Sequence, residues 1–495
     1  MKKAKPTTLG ELRAAGWRSR PVKQEVRENL LSRLKRGDAL FPGVVGYERT
    51  VIPGIVNALL AHHDFILLGL RGQAKTRLLR SLVALLDDFI PVLAGTPLND
   101  DPLRPASTSG IRLVEEAGDD APIEWLPREA RYNEKLATPD VTIADLIGDV
   151  DPIKAATRRL TYADPEVIHF GIVPRTNRGI FAINELPDLA PRIQVGLLNI
   201  LEERDIQVRG FPLRIPLDIM MVFSANPEDY TNRGTIITPL KDRISSQILT
   251  HYPTDVEHAL EITRQEAWTR RDGPRVVVPR DVEVLIEEVS VAARESELVD
   301  QSSGVSARVA IAATELLHSN LERRALRTGD EPVWPRLADL HMLLPAITGK
   351  VEMVYEGEQQ GAEIVARGLL GSAVKKLFAA RFPKPPRDGG EAEGSPYAPL
   401  LAWFGEGNTV TVSDEQPFAD HLATLRRLPG LWALTEPAGE RDEERAFAAE
   451  LILEGLHQHA RLARQDVDSA ISYKQALRLQ VLRRAGRRES LDDAN

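Results

Sequence analysis

The sequence predicts an α/β fold built on a parallel sheet, and three observations carry that expectation. Short apolar runs at Phe65–Leu68, Ile180–Ile183 and Ile219–Ser224 are bounded by turns and alternate with helical patterns between Phe41 and about Thr250. Strands of a parallel sheet read as such continuous runs because helices bury both of their faces. The first run leads into a glycine-punctuated loop and then an amphipathic helix, ILLGLRGQAKT at 66–76. From about Tyr252 to Val354 the pattern turns wholly helical, which marks a second, helical region behind the sheet.

The loop is the most informative element. Phosphate binding demands a buried strand, a tight turn whose backbone N–H groups face an anion, and a helix opening from that turn. Against the pattern G-x-x-x-x-G-K-[ST], Gly69, Lys75 and Thr76 fit, Gly72 lies inside the loop, and the second fixed glycine is replaced by Ala74. Lys75 is expected to reach the β/γ-phosphates and the Thr76 hydroxyl to sit on Mg²⁺, with Gln73, Ala74 and Arg77 around them. A chance Gly/Lys turn before a helix is the plainer reading.

Composition bounds the rest. A chain of 495 residues has length for roughly two to four domains. Its 43% apolar and 27% charged content is ordinary for a globular protein. The formal charge of −9 argues against a nucleic-acid coat. With no cysteine, disulfides and thiolate metal sites are excluded. No run approaches the roughly 18 apolar residues of a membrane span, and MKKAKPTTLGELRAAG has no signal-peptide apolar segment, so a cytoplasmic location is expected.

In chain order, residues 1–40 read as a basic N-terminal arm with a helix over 24–36. Residues 41–250 read as the nucleotide-binding core, in which the Pro/Asp/Gly-rich stretch from Ala94 to Arg178 is too long for a plain crossover and predicts hairpin insertions. Residues 251–355 form a helical lid, with helices over 255–268, 281–294 and 306–326 and with Asp255 and Asp281 as N-caps of the first two. Residues 356–396 hold one more helix and a Pro/Gly/charge linker, PKPPRDGGEAEGSP. Residues 397–495 read as a C-terminal helical domain with a basic tail.

A phosphate loop needs downstream partners in a set order. RGIFAINEL (178–186) ends a strand at Asn184 and Glu185, where a metal-holding residue and a water-orienting carboxylate are expected. Asparagine at 184 removes a formal charge beside Mg²⁺, which slows hydrolysis more than it weakens binding. DIMMVFSANPEDY (218–230) ends a further strand at Asn226, suited to holding the attacking water. TPLKDRISSQI (238–248) offers Arg243 for charge stabilisation of a transferring phosphoryl group, often from a neighbouring subunit, with Arg233 a second candidate; the plainer reading pairs Arg243 with Asp242. SSGVSARVAI (302–311) places Arg308 at a helix start. The remaining candidates are bland: His457 and His459 are spaced for different helix faces, and Arg483, Arg484, Arg487 and Arg488 read as a solvated helix end.

Taken together, these residues resemble an AAA+ ATPase of the helix-two-insert group, near the I subunit of magnesium chelatase and the MoxR-type ATPases. VVGYERTVIPGIVNALLAHHDFILLGLRGQAKT is similar to that group's opening, AGTPLNDDPLRP to the chelatase segment after the phosphate-loop helix, KLATPDVTIADLIGDVDPIKAA to the helix-two insertion, and RGIFAINEL, FSANPEDY and LKDRI to Walker B, sensor 1 and the arginine-finger region. The likeness covers roughly Phe41 to Lys350. It implies a ring, often a hexamer, with ATP between subunits: Glu185 and Asn226 acting from one subunit, Arg243 from its neighbour, Arg308 as sensor 2, and Val45 and Gly46 cradling adenine. It further implies an ATPase that remodels or activates a partner protein, commonly one with a von Willebrand A-type domain. A chelatase motor ranks lower because the long C-terminal extension does not resemble that subunit. A sigma-54 activator is disfavoured because a GAFTGA loop is missing. A nucleotide-dependent scaffold with little turnover is the rival that Asn184 favours.

Overall fold

The computed structural model describes residues 5–476 apart from 152, 154–156, 158–166, 208–213, 228–233, 387–393 and 468–469. Arg233, the centre of the expected linker, part of the helix-two insertion and the arginine cluster at 483–488 lie outside the described residues. The chain forms two compact units, Met1–Tyr252 and Pro253–Asn495.

The first unit opens with helices α1 (Leu9–Ala14), α2 (Val22–Arg36) and α3 (Val51–Leu60), then strand β1 (Phe65–Leu68) and helix α4 (Lys75–Ser81). The strands that follow are β2 (Phe89–Leu93), β3 (Ile123–Pro127), β4 (Tyr132–Leu136), β5 (Gly148–Val150), β6 (Ile168–Phe170), β7 (Gly179–Asn184), β8 (Asp205–Gln207), β9 (Arg214–Pro216), β10 (Ile219–Ala225) and β11 (Ser246–Leu249). Five of them make a sheet in the order β11–β1–β10–β7–β4, and every neighbouring pair is parallel. The three strands read from sequence are its centre, and the edges β4 and β11 are additions. Antiparallel pairs β2–β3, β5–β6 and β8–β9 decorate it; β5–β6 lies wholly within the segment from Ala94 to Arg178 where insertions are expected, β2–β3 straddles its start, and β8–β9 follows it. The expected α/β class, with a parallel sheet and hairpin insertions, is the observed one.

Alternation on the central strands separates two cores. Phe65, Leu67, Ile180, Ala182, Met220 and Val222 face one layer, with α2, α3 and α4 over them. Ile66, Leu68, Phe181, Ile183, Met221 and Phe223 face the other, under the short helices Pro191–Gly196, Leu198–Glu202 and Thr238–Arg243. Helix α2 is part of the first layer: Val22, Val26 and Leu30 are fully buried there. It stops at Gly37, whose φ of 74° suits the left-handed cap, after a last turn bearing Arg33, Lys35 and Arg36. The N-terminal segment is thus basic on its outer face and seated on the sheet by its inner one.

The second unit contains helices Val256–Glu266, Arg280–Glu295, Arg308–Thr328 and Ala362–Arg381, then four shorter or later helices up to Asp442–Gln458. Strands β12 (Val410–Ser413), β13 (Leu462–Val467) and β14 (Ala470–Gln475) add a three-stranded antiparallel sheet. One continuous core runs from Val282 to Tyr473, so the helices after Pro253 and those after Tyr397 share their burial. Asp255 caps its helix by accepting from the His258 N–H at 2.9 Å. Asp281 does not cap the next one. Pro279 precedes that helix, and Asp281 falls inside its first turn, where a carboxylate still favours the helix dipole.

Candidate functional site

Parallel pairing aligns the carboxyl ends of the strands. In register, Leu68 stands beside Ala225 and Leu249, and Ile183 beside Phe223. One residue further on, the chain brings Gly69, Asn184, Asn226 and Thr250 to one edge of the sheet, where open α/β sheets bind ligands.

Loop 69–74 crosses that edge. Gly69 has no alternative, since a Cβ there would collide with Thr250 Oγ1 and Gln73 Oε1. Gly72 (φ 74°) and Ala74 (φ 54°) both lie in the left-handed region. Ala74 therefore occupies the very conformation for which the motif reserves glycine, at a cost of about 1 kcal/mol. Among the described residues, none accepts from the backbone N–H of Gly72, Gln73 or Ala74. These donors at the mouth of α4 are the feature an anion requires.

Lys75 begins α4. Its Nζ donates to the carbonyls of Gly69 and Leu70, the latter at 2.9 Å, and to Asn226 Oδ1 at 2.6 Å. The lysine and the asparagine expected from sequence to share a site are thus in direct contact. Thr76 follows Lys75 and is half-buried, while Arg77 is exposed. Gln73 is buried, and its side-chain oxygen accepts from Thr250 Oγ1 at 2.6 Å. Tyr47 shares its one hydroxyl proton between the carbonyls of His251 (2.7 Å) and Gln73 (3.0 Å), and Tyr252 donates to the carbonyl of Arg71 (3.0 Å). Burial pushes the Tyr47 phenol up to about 12, so it remains a donor. Val45 and Gly46 directly precede Tyr47, and Gly46 takes a φ of 82°. This puts them on the chain that braces the loop.

On β7, Asn184 is buried and its Oδ1 accepts from Ser224 Oγ at 3.0 Å. Ser224 in turn receives the Glu185 N–H at 3.4 Å. Glu185 turns the chain out of the strand with φ 56° and ψ 48°, a sparsely populated conformation for a carboxylate residue. An amide oxygen keeps a second lone pair, so Asn184 retains one acceptor site for a metal-bound water. Among the described residues no group of three or more His, Cys, Asp or Glu side chains is placed to hold a metal. A divalent ion here would draw on the Thr76 hydroxyl and on water, the mode that Mg²⁺ favours.

One predicted residue of the first unit, Arg243, is not brought to this edge by the chain's own contacts. Arg243, at the end of helix Thr238–Arg243, gives its Nε to Glu202 Oε2 at 2.6 Å and its Nη1 to the Pro239 carbonyl at 3.0 Å. Its carboxylate partner is Glu202, not the adjacent Asp242. Arg308 is exposed at the first position of its helix in the second unit, its N–H bonded to Ser306 Oγ at 3.1 Å. Sequence reasoning missed Tyr47, Ser224, Thr250 and Tyr252. Only Thr250 had a local signal, a small polar residue directly after the apolar pair Ile248–Leu249.

No family model matches the chain, and no curated protein matches it. Solved structures of similar shape include NtrX from Brucella abortus, at 16% identity over 61% of this chain and 56% of that one with a TM-score of 0.34. A Cytophaga hutchinsonii protein assigned as an ATPase aligns at 16% identity, over 73% of this chain and 97% of that one, with a TM-score of 0.28. The BchI–BchD complex of magnesium chelatase aligns at 19% identity, over 70% and 96%, with a TM-score of 0.34. The chain thus spans about half the length of NtrX.

Proposed function

We propose that the chain is an AAA+-type ATPase that couples Mg-ATP binding and hydrolysis to the remodelling or activation of a partner protein. The observation that carries this reading is the meeting of Lys75 and Asn226 beside loop amides that no described residue occupies, at the edge where Glu185 leaves β7. Lys75, now on protein acceptors, would exchange them for phosphate oxygens. Mg²⁺ when bound would neutralise phosphate charge, with Thr76 and Asn184 nearest to it. Glu185 would orient and accept a proton from the attacking water, and Asn226, released by Lys75, would hold that water in line. Arg243 would act on the site of a neighbouring copy in a ring, probed below. The client would be a protein, with a von Willebrand A-type domain as the first kind to try.

The test is nucleotide binding and turnover by the full chain. Lys75→Ala is expected to lower ATP affinity at least about 100-fold, the loss of a charge-assisted contact to phosphate. Glu185→Gln is expected to bind ATP as wild type does while turnover falls at least about 100-fold. A Lys75→Ala variant with full ATP affinity would sink the assignment of the loop.

A second reading is a scaffold that binds ATP, assembles and scarcely hydrolyses it. The uncharged Asn184, hydrogen-bonded to Ser224, favours it. Wild type as inactive as Glu185→Gln in the presence of partner would establish it. A chelatase motor, inserting Mg²⁺ into a porphyrin, is the third, and a porphyrin-dependent rise in ATPase rate would identify it.

A further inference from the structure

We infer that Tyr47, Thr250 and Tyr252 are positioning residues for phosphate binding: with the buried Gln73 amide they aim the loop's N–H groups without touching the anion themselves. The inference rests on the nucleotide reading above and extends it to residues no motif includes.

The argument is one of peptide geometry. A carbonyl and the following N–H share one planar trans unit and point in opposite directions. Fixing a carbonyl therefore aims the next residue's N–H. The Tyr252 hydroxyl holds the Arg71 carbonyl, which orients the N–H of Gly72. The Tyr47 hydroxyl holds the Gln73 carbonyl, which orients the N–H of Ala74. Between these pins, the one Thr250 hydroxyl proton goes chiefly to the Gln73 side-chain oxygen at 2.6 Å, with the Leu68 carbonyl at 3.2 Å sharing it, so the loop is tied to the end of β1. The Tyr47 proton is shared between the Gln73 carbonyl at 3.0 Å and the His251 carbonyl at 2.7 Å, and an edge-on contact with the His251 ring, centroids 5.0 Å apart, fixes the phenol. The Gln73 side chain is buried on Thr250, so it serves the loop's shape and leaves only the backbone N–H for the ligand. A loop with its donors already aimed loses less freedom when the anion arrives, and affinity rises accordingly.

The test measures Mg-ATP and inorganic pyrophosphate affinity of the full chain by calorimetry, with the melting temperature of the nucleotide-free protein alongside. Tyr252→Phe and Thr250→Val are each expected to weaken both ligands about 5-fold, the effect of one hydrogen bond. Tyr47→Phe with Tyr252→Phe is expected to weaken them at least about 20-fold, with equal losses for the two ligands because the loop and not the base is affected. Thr250→Ser, which keeps the hydroxyl, is expected to stay within about 2-fold of wild type. Affinities unchanged in Tyr252→Phe and Thr250→Val, or equally lost in Thr250→Ser, would overturn the inference while leaving the nucleotide reading intact. Wild type without affinity for ATP would remove both.

Discussion

At the scale of the residue, Ala74 shows how local chemistry and motif diverge. A glycine at φ 54° would sit without strain, whereas alanine there brings a methyl group and a left-handed backbone. The site accepts that cost because Lys75, Tyr47, Thr250 and Tyr252 determine the loop from outside. Alanine is the largest residue this arrangement should bear. Ala74→Val puts a β-branched side chain at positive φ and is expected to destabilise the first unit by about 2 kcal/mol, whereas Ala74→Gly should change stability by less than about 1 kcal/mol. Urea unfolding of the two variants checks this, and a valine variant as stable as wild type would contradict it. Position 184 is the reverse case. The strand supplies the right place but a neutral side chain, and Ser224 satisfies half of it internally.

At the scale of the element, helix α2 is held on the sheet by buried charges as well as by Val22, Val26 and Leu30. Arg131 donates to both Glu25 oxygens at 2.7 Å, with both side chains almost wholly buried. Lys23 and Arg204 share Asp64, at 2.8 and 2.6 Å. The Val22 N–H at the start of α2 donates to both oxygens of Asp218, the residue before β10, at 3.0 and 2.9 Å. Burial raises the Asp218 carboxyl to about 6, against the pull of Val22 N–H and nearby Arg178. A carboxyl raised in the folded state makes the native protein bind more protons than the unfolded chain between roughly pH 4 and pH 6. Its contribution is then full below about pH 4 and lost as pH rises through 6. Asp218→Asn removes this dependence. The variant is expected to be more stable than wild type at pH 8, by up to about 3 kcal/mol, and to converge with it near pH 4. Denaturant unfolding from pH 4 to 8 reads the difference, and parallel curves would refute it.

The elements differ in how legible they are. Strands β1, β7 and β10 are continuous apolar runs because both faces are covered, and they were found to within a residue. The edge strands β4, YNEKL, and β11, SQIL, mix polar with apolar residues and do not stand out from loops. The seat of α2 was illegible for a different reason. Its basic residues dominate the composition, while Glu25 finds Arg131 only across 106 positions of chain.

At the scale of the whole molecule, the division at Tyr252 separates a unit built on the five-stranded parallel sheet from a second unit whose core is continuous to Tyr473. Among the described residues no helix is long and apolar enough to cross a membrane. Arg243 bears on assembly. Within its own chain it is engaged by Glu202, so a role at a neighbouring site requires that pair to open. The Glu202 carboxylate is half-exposed, and such a pair is worth only about 1 kcal/mol or less. Arg243→Ala should leave ATP affinity unchanged and lower turnover about 100-fold or more, only in the assembled protein. Mixing it with Glu185→Gln subunits should restore activity at interfaces that pair an intact Glu185 with an intact Arg243. Mixed assemblies with no recovered turnover would count against a shared site.

The sequence by itself determined the α/β class, the central strands, the glycine-punctuated loop between β1 and α4 and the order of Lys75, Asn184, Glu185 and Asn226 along the chain. Those features are written in local apolar runs and short-range turns. Only the tertiary structure decided that α2 belongs to the core, that Arg243 faces Glu202, and that Tyr47, Thr250 and Tyr252 hold the loop. Each of these depends on groups brought together by parallel pairing and burial from distant parts of the chain, and no local pattern encodes such a meeting.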